Sequence, residues 1–269
     1  MKVVLRDVFE NAWTEQNAFD EVQKIQGDIV RDKEGRQTLR FEFNDNAYYL
    51  KHHTGIGWGE IFKSFSQLKQ PVVGATNEWE AINKLTALGL HTLTAVGFGL
   101  RGSNPAKTES FLITKELTGT LSLAKYCEHW PENPPSFNEK QKLISSVATI
   151  TKALHENGMN HRDLYICHFL LRLDSMAQQV PILHLVDLHR AQCREKVPYR
   201  WLVKDVASIY FSAMDIGLTK RDVIRFMKIY FDESPRKIFN DKASLLSAIR
   251  IRAEQLYKRD FKRDAPVLL

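Results

Sequence analysis

Long apolar runs are missing from this 269-residue chain. The longest uncharged stretch of apolar character, residues 206–214, falls far short of the roughly 20 residues a bilayer-spanning helix needs. The first five residues meet Arg6 and Asp7 too soon to make the apolar region of a signal peptide. Cysteine is scarce: Cys127, Cys167 and Cys193 are an odd count with no Cys-x-x-Cys spacing. That argues against a disulfide framework and predicts reduced thiols in a cytosolic protein. Cys167 beside His168 lacks a second correctly spaced ligand pair for zinc, so a buried, unreactive thiol is expected there. Low-complexity segments and internal repeats are absent too. A hydrophobic share of 43% and a charged share of 26% exclude a disordered chain.

Positive charge is what the chain has in excess, 38 Lys and Arg against 32 Asp and Glu, for a formal net charge of +6. Basic residues crowd residues 194–228 and again residues 250–263. Such clusters suit polyanions, anionic membrane surfaces or an acidic protein partner, while solvated helix faces are the plainer explanation. No recognition motif supports a nucleic-acid partner.

The order of patterns is strands first, helices later. Residues 38–43 and 47–51 alternate polar and apolar around Asn44-Asp45-Asn46, a hairpin signature. A helix is expected after Pro71 and Gly74, with Asn77 as its N-cap, Glu80 as the N3 partner and Gly89 as its stop. On a helical wheel Ala81, Ile82, Leu85 and Leu88 surround Glu78, which aims a carboxylate at the core and requires a partner there. Strands at 95–100 and 110–114 follow, then a helix over 122–129. Ser136 and Glu139 form a capping-box pattern opening a long helix that Asn157-Gly158 closes. Short strands at 168–173 and 181–186 flank a loop, and from Tyr199 onward the periodicity is helical. The fold class is α+β in two lobes divided near residues 116–120: a small strand-rich N-lobe, residues 1–117, and a larger helical C-lobe, residues 118–269.

His161-Arg162-Asp163, after the long helix, and Asp187, ending an apolar strand, resemble the catalytic core of protein-kinase-like phosphotransferases. Phosphoryl transfer needs a carboxylate to orient the acceptor hydroxyl, a carboxylate to hold metal, and a lysine steadied by an acid to position the phosphates. Asp163, Asp187, Lys51 (from the third strand) and Glu78 fill those roles in that order. The common pattern is not kept throughout. His168 stands where a metal-binding Asn is usual, so either His168 ligates metal with a bias toward Mn²⁺ or Asp187 alone anchors Mg²⁺. The phosphate-covering loop at 31–38 has one glycine, leaving Arg36 or Lys33 to supply charge instead of backbone amides. Backbone groups of Glu116 and Leu117 are the candidates for the adenine edge of ATP. No Ala-Pro-Glu tripeptide occurs, which favours a small-molecule or glycan acceptor over a protein. His52 and His53 read as strand-edge histidines rather than metal ligands.

The run from Asn160 to Leu171, with its Tyr-Ile-Cys-His segment, closely resembles the bacterial lipopolysaccharide core heptose kinase family. So do residues 186–192, 74–79, Arg200-Trp201 with Lys204-Asp205, and 215–219. The resemblance spans nearly the whole chain. It implies ATP-dependent phosphorylation of the first inner-core heptose at O4, peripherally at the cytoplasmic face of a Gram-negative inner membrane. It also implies a lipopolysaccharide core glycolipid as acceptor, which Arg162, Arg190 and Arg200 would meet through its phosphate or carboxylate groups. The alternatives are a kinase for another acceptor, a Kdo sugar or protein tyrosine, and a non-catalytic kinase-fold scaffold binding glycolipid or an acidic carrier protein.

Overall fold

The computed structural model describes residues 1–33, 35–55, 58, 74–104 and 106–266. Glu34 of the phosphate-covering loop and Pro71 lie outside the described residues, as does the side chain of Lys33. The chain forms two compact units. Unit 1 holds Met1–Lys84, Leu93–Thr118 and Leu188–Arg190; unit 2 holds Leu85–Thr92, Gly119–Asp187 and Ala191–Leu269. The grouping differs from a single cut near residue 117 in the two short segments Leu85–Thr92 and Leu188–Arg190.

Unit 1 opens with β1 (Lys2–Leu5) and two short helices, α1 (Val8–Ala12) and α2 (Ala18–Lys24), followed by β2 (Asp28–Lys33), β3 (Arg36–Phe43) and β4 (Asn46–His53). After α3 (Thr76–Ala87) come β5 (Ala95–Arg101) and β6 (Glu109–Lys115). The six strands make one antiparallel sheet in the order β1-β5-β6-β4-β3-β2. Asn44 and Asp45 both take positive φ, 48° and 58°, as a two-residue hairpin turn requires. Phe9 and Phe19 of the short helices and Trp13, just past the end of α1, are buried with Phe41, Tyr48, Phe111 and Ile113 of the sheet. Phe111 fits because its neighbour is Gly99, where a Cβ would come 2.2 Å from the ring.

The register decides what faces α3. Lys51 and Phe98 both lie opposite Leu112, so their side chains emerge on one face, where Phe98 stacks on Trp79 of α3 at 4.9 Å. The helix begins at Thr76, with the Ala75 carbonyl accepting from the Trp79 N–H; Asn77 lies inside it and is not the cap. Gly89 (φ 70°) ends it as expected, the N–H of Leu90 donating to Leu85 O and that of Gly89 to Thr86 O. Two further expectations are corrected. β4 is interior to the sheet, so His52 and His53 are not at its edge, and with β1 preceding the hairpin Lys51 sits on the fourth strand in chain order.

Unit 2 is mainly helical. β7 (Thr120–Ser122) leads into α4 (Leu123–Tyr126), a single turn in place of the longer helix expected over 122–129. Then come α5 (Phe137–Glu156), β8 (Met159–Asn160), β9 (Phe169–Arg172), β10 (Leu183–Leu185) and β11 (Gln192–Cys193). Four helices follow: α6 (Tyr199–Ser212), α7 (Lys220–Phe231), α8 (Pro235–Asp241) and α9 (Ala243–Phe261). Ser136 caps α5 by accepting from the Glu139 N–H, but the Glu139 carboxylate accepts from the Tyr126 hydroxyl at 2.8 Å instead of closing the box. The apolar stripes of α6, α7 and α9 meet in one core holding Val206, Tyr230, Ile249 and Tyr257. Among the described residues no helix is long and apolar enough to cross a membrane.

Candidate active site

In unit 1 the Lys51 ammonium donates to Glu78 Oε1 at 2.5 Å, and Glu78 is 2% exposed. The partner demanded by a carboxylate on an apolar helix face is therefore the strand lysine named from sequence. On the opposite face of β4, His52 pairs with Glu109 at 2.8 Å, and Glu109 also accepts from Arg101. His53 is buried, and its pKa falls to about 3 because burial and the charges of Arg36 and Lys51 disfavour the imidazolium. Arg36 lies directly across from His53 in the β3–β4 register.

Glu116 is held through its side chain by a two-pronged pair with Arg40, both at 2.9 Å, and by the Tyr49 hydroxyl at 3.1 Å. The Arg40 guanidinium keeps this carboxyl below its ordinary range. Its backbone N–H donates to Ala47 O at 2.9 Å. Of the two residues proposed for the adenine edge, Glu116 thus has only its carbonyl to offer, with Leu117 beside it.

In unit 2 the loop after β8 carries His161, Arg162 and Asp163. One carboxylate organises its backbone: Asp205 of α6, fully buried, accepts from the N–H of His161 and of Arg162, each at 2.7 Å. His155 approaches the same carboxylate at 3.4 Å and bonds the Tyr230 hydroxyl at 2.7 Å. This clamp holds Arg162 at a φ of 74°, a left-handed conformation costly for a side-chain-bearing residue. The His161 ring bonds Val186 O at 2.9 Å, one residue before Asp187; burial pushes its pKa down, leaving it neutral.

Asp163 Oδ1 lies 3.3 Å from Lys204 Nζ, and its carbonyl accepts from His168 Nδ1 at 2.7 Å. The β9–β10 pairing, extended by a bond from Val186 N to His168 O, sets His168 Nε2 3.4 Å from Asp187 Oδ2. Burial pulls the His168 pKa down, but the Cys167 sulfur, the Asp163 carbonyl and the Asp187 charge outweigh it, so it rises to about 9. In that state both ring nitrogens carry protons, and metal ligation would require losing one. Among the described residues no cluster of three or more His, Cys, Asp and Glu could hold a metal ion. Asp187 remains a fitting anchor, because Mg²⁺ commonly takes one or two protein carboxylates and completes its shell with phosphate oxygens and water. Cys167 is exposed, contrary to expectation; Cys127 is the buried thiol, pushed up to about 12 by desolvation.

The acceptor candidates are placed unevenly. Arg162 is 5% exposed and lies over the Trp201 indole at 4.6 Å, and Arg200 lies 4.7 Å from the same ring. Arg190 closes a 3-10 turn, Leu188–Arg190, that belongs to unit 1. Sequence reasoning counted Lys204-Asp205 in the resemblance but gave Asp205 no role and missed the pairing of Lys204 with Asp163. The wheel held a signal for Asp205, which sits one turn before Ile209 on the shoulder of the apolar face of α6.

An acid steadying a lysine beneath a sheet, and a His-Arg-Asp loop clamped from below by a helix carboxylate, place the protein among phosphotransferases of protein-kinase-like fold. The comparisons narrow the class. The chain belongs to the lipopolysaccharide kinase (Kdo/WaaP) family, whose model matches residues 20–230. It is 45% identical over 260 residues to the lipopolysaccharide core heptose(I) kinase WaaP of Pseudomonas aeruginosa, covering 96% of this chain and 97% of that protein. With the Escherichia coli K12 protein of the same name it shares 45% identity over 258 residues, 96% of this chain and 97% of that protein. A solved structure described as WaaP in complex with acyl carrier protein superposes with a TM-score of 0.83 at 41% identity, covering 96% of this chain and all of that one.

Proposed function

We propose that this protein transfers the γ-phosphoryl group of ATP to O4 of the first heptose of the lipopolysaccharide inner core. It would work peripherally at the cytoplasmic face of the inner membrane. Near-full-length identity to proteins named for that acceptor supports the substrate. The observation that carries the chemistry is the Asp163 loop, its backbone fixed by Asp205 and its carboxylate met by a lysine. Asp163 orients the heptose hydroxyl and takes its proton. Lys51, held by Glu78, steadies the α- and β-phosphates, with Arg36 as a further cation for phosphate. A divalent cation, when bound, neutralises phosphate charge; Asp187 would hold it, with His168 as a second donor only once deprotonated.

A carrier-protein partner is a second element of the reading. Lys220, Arg221 and Lys228 of α7 are exposed, a surface suited to an acidic protein or to anionic lipid. Beside them unit 2 holds an apolar cavity of about 110 Å³ lined by Leu123, Cys127, Trp130, Val223 and Met227. Its lining suits an apolar group such a partner could bring.

The test supplies labelled ATP, Mg²⁺ and core glycolipid lacking heptose phosphate to wild type and Asp163→Ala. Label should pass to glycolipid with wild type only. Equal transfer by both proteins would overturn the assignment of Asp163, and transfer to protein but not glycolipid would favour the other-acceptor reading.

A further inference from the structure

The Asp163 carboxylate and the phosphoryl group it serves are both anions, so a transfer site of this kind needs positive charge where they approach. The loop does not supply it near the base: between Asp163 and His168 stand Leu164, Tyr165, Ile166 and Cys167. Arg162, next in sequence, is buried against Trp201. A cation that does reach the Asp163 carboxylate comes from another element, Lys204 of α6, at 3.3 Å.

We propose that Lys204 is a catalytic residue of the transfer, its ammonium spanning the Asp163 carboxylate and the phosphoryl group in flight. The inference rests on the kinase reading above. Three observations support it. Lys204 immediately precedes Asp205, whose two 2.7 Å bonds fix the loop backbone at His161 and Arg162, so one helical turn sets both the base and the cation. The Lys204 side chain is 19% exposed and that of Asp163 17%; the pair is open to a ligand, unlike Asp205. An ammonium has three donors, enough to bridge Oδ1 and a phosphoryl oxygen, and the Trp201 ring 5.8 Å away supports the charge from the side.

In the step, the acceptor O–H bond breaks and its proton goes to Asp163. The acceptor oxygen bonds phosphorus as the bond from phosphorus to the β,γ-bridging oxygen breaks, leaving that electron pair on ADP. Lys204 stays protonated throughout, donating to oxygens whose charge shifts during transfer.

The experiment compares wild type, Lys204→Met, Lys204→Arg and Lys204→Ala with ATP, Mg²⁺ and dephosphorylated core glycolipid. Lys204→Met should lose on the order of 10²–10³-fold in kcat, with both KM values within about threefold of wild type and an unchanged urea midpoint. Lys204→Arg should recover part of the rate, and ethylammonium should raise the kcat of Lys204→Ala with saturation. A kcat for Lys204→Met within about threefold of wild type would overturn the role, and so would failure of both arginine and amine to restore rate in folded protein. If Lys204→Met does not fold, amine rescue of Lys204→Ala decides. Activity in Lys204→Met beside an inactive Asp163→Ala refutes the role of Lys204 alone; activity in Asp163→Ala refutes the kinase assignment beneath it.

Discussion

Asp205→Asn isolates what the buried carboxylate of α6 does. Each oxygen of Asp205 takes one backbone N–H at 2.7 Å, from His161 and Arg162, residues 0% and 5% exposed. Asn keeps one acceptor oxygen and turns an amide NH₂ toward the other N–H, donor against donor. The variant loses one charge-assisted bond and strands a donor that water cannot reach. At ~1.5–3 kcal/mol for such a bond and a comparable penalty for an unpaired buried group, the cost is about 3–6 kcal/mol. That is a large share of a typical stability of ~5–15 kcal/mol. The assay is urea unfolding followed by tryptophan fluorescence, Trp201 serving as a local reporter because Arg162 lies on its ring. Activity should fall further than the folded fraction does, since Arg162 at φ 74° relaxes once unclamped and moves Asp163. A stability within about 0.5 kcal/mol of wild type would refute this account of the loop.

Two further outcomes concern backbone and charge. His53 has a folded-state pKa of about 3 against an ordinary 6.5, so its contribution to stability is full above pH 6.5 and drains away as pH falls toward 3. Between pH 8 and pH 5 the loss is on the order of 2 kcal/mol. His53→Gln should flatten that part of the urea-midpoint profile, and an unchanged acid slope would count against the burial argument. Gly158 has φ 70°, and a Cβ there would meet Arg194 O at 2.0 Å; Gly119 has φ 64° with nothing within 4 Å. Gly158→Ala should therefore cost well over the ~1 kcal/mol expected of Gly119→Ala, measured as thermal midpoints; equal shifts would show that the turn before β8 can yield.

Local pattern sufficed for the hairpin, the long helix α5 and the run of helices after Tyr199, since each carries its own period or turn residues. It failed for α1 and α2. At five and seven residues, these helices are too short for a period to register, and neither has a side-chain cap bond. What stabilises them is Phe9, Trp13 and Phe19 against the sheet, contacts made across the chain. The same limit explains β4. Alternation marks His52 and His53 as strand residues, but whether a strand is edge or interior depends on β6, which arrives some sixty residues later.

At the site, legibility followed the kind of partner each residue has. Glu78 was readable because its partner is a side chain: a carboxylate on an apolar face asks for a cation, and Lys51 supplies it. Asp163 and Asp187 stood out as candidates because their neighbours in sequence are distinctive. Asp205 serves backbone N–H groups 43 and 44 positions away, and a backbone donor leaves no mark in composition. Its one local trace is a polar residue on the shoulder of an apolar stripe. Treated as Glu78 was, that trace demands a partner for Asp205 too, and the donors most in need of one are those of a loop forced to positive φ. A buried acid on a helix face with no complementary cation in the pattern is therefore a reason to look for strained backbone. In this chain that rule leads from α6 to Arg162, and one residue further to Asp163, the carboxylate proposed to orient the acceptor hydroxyl.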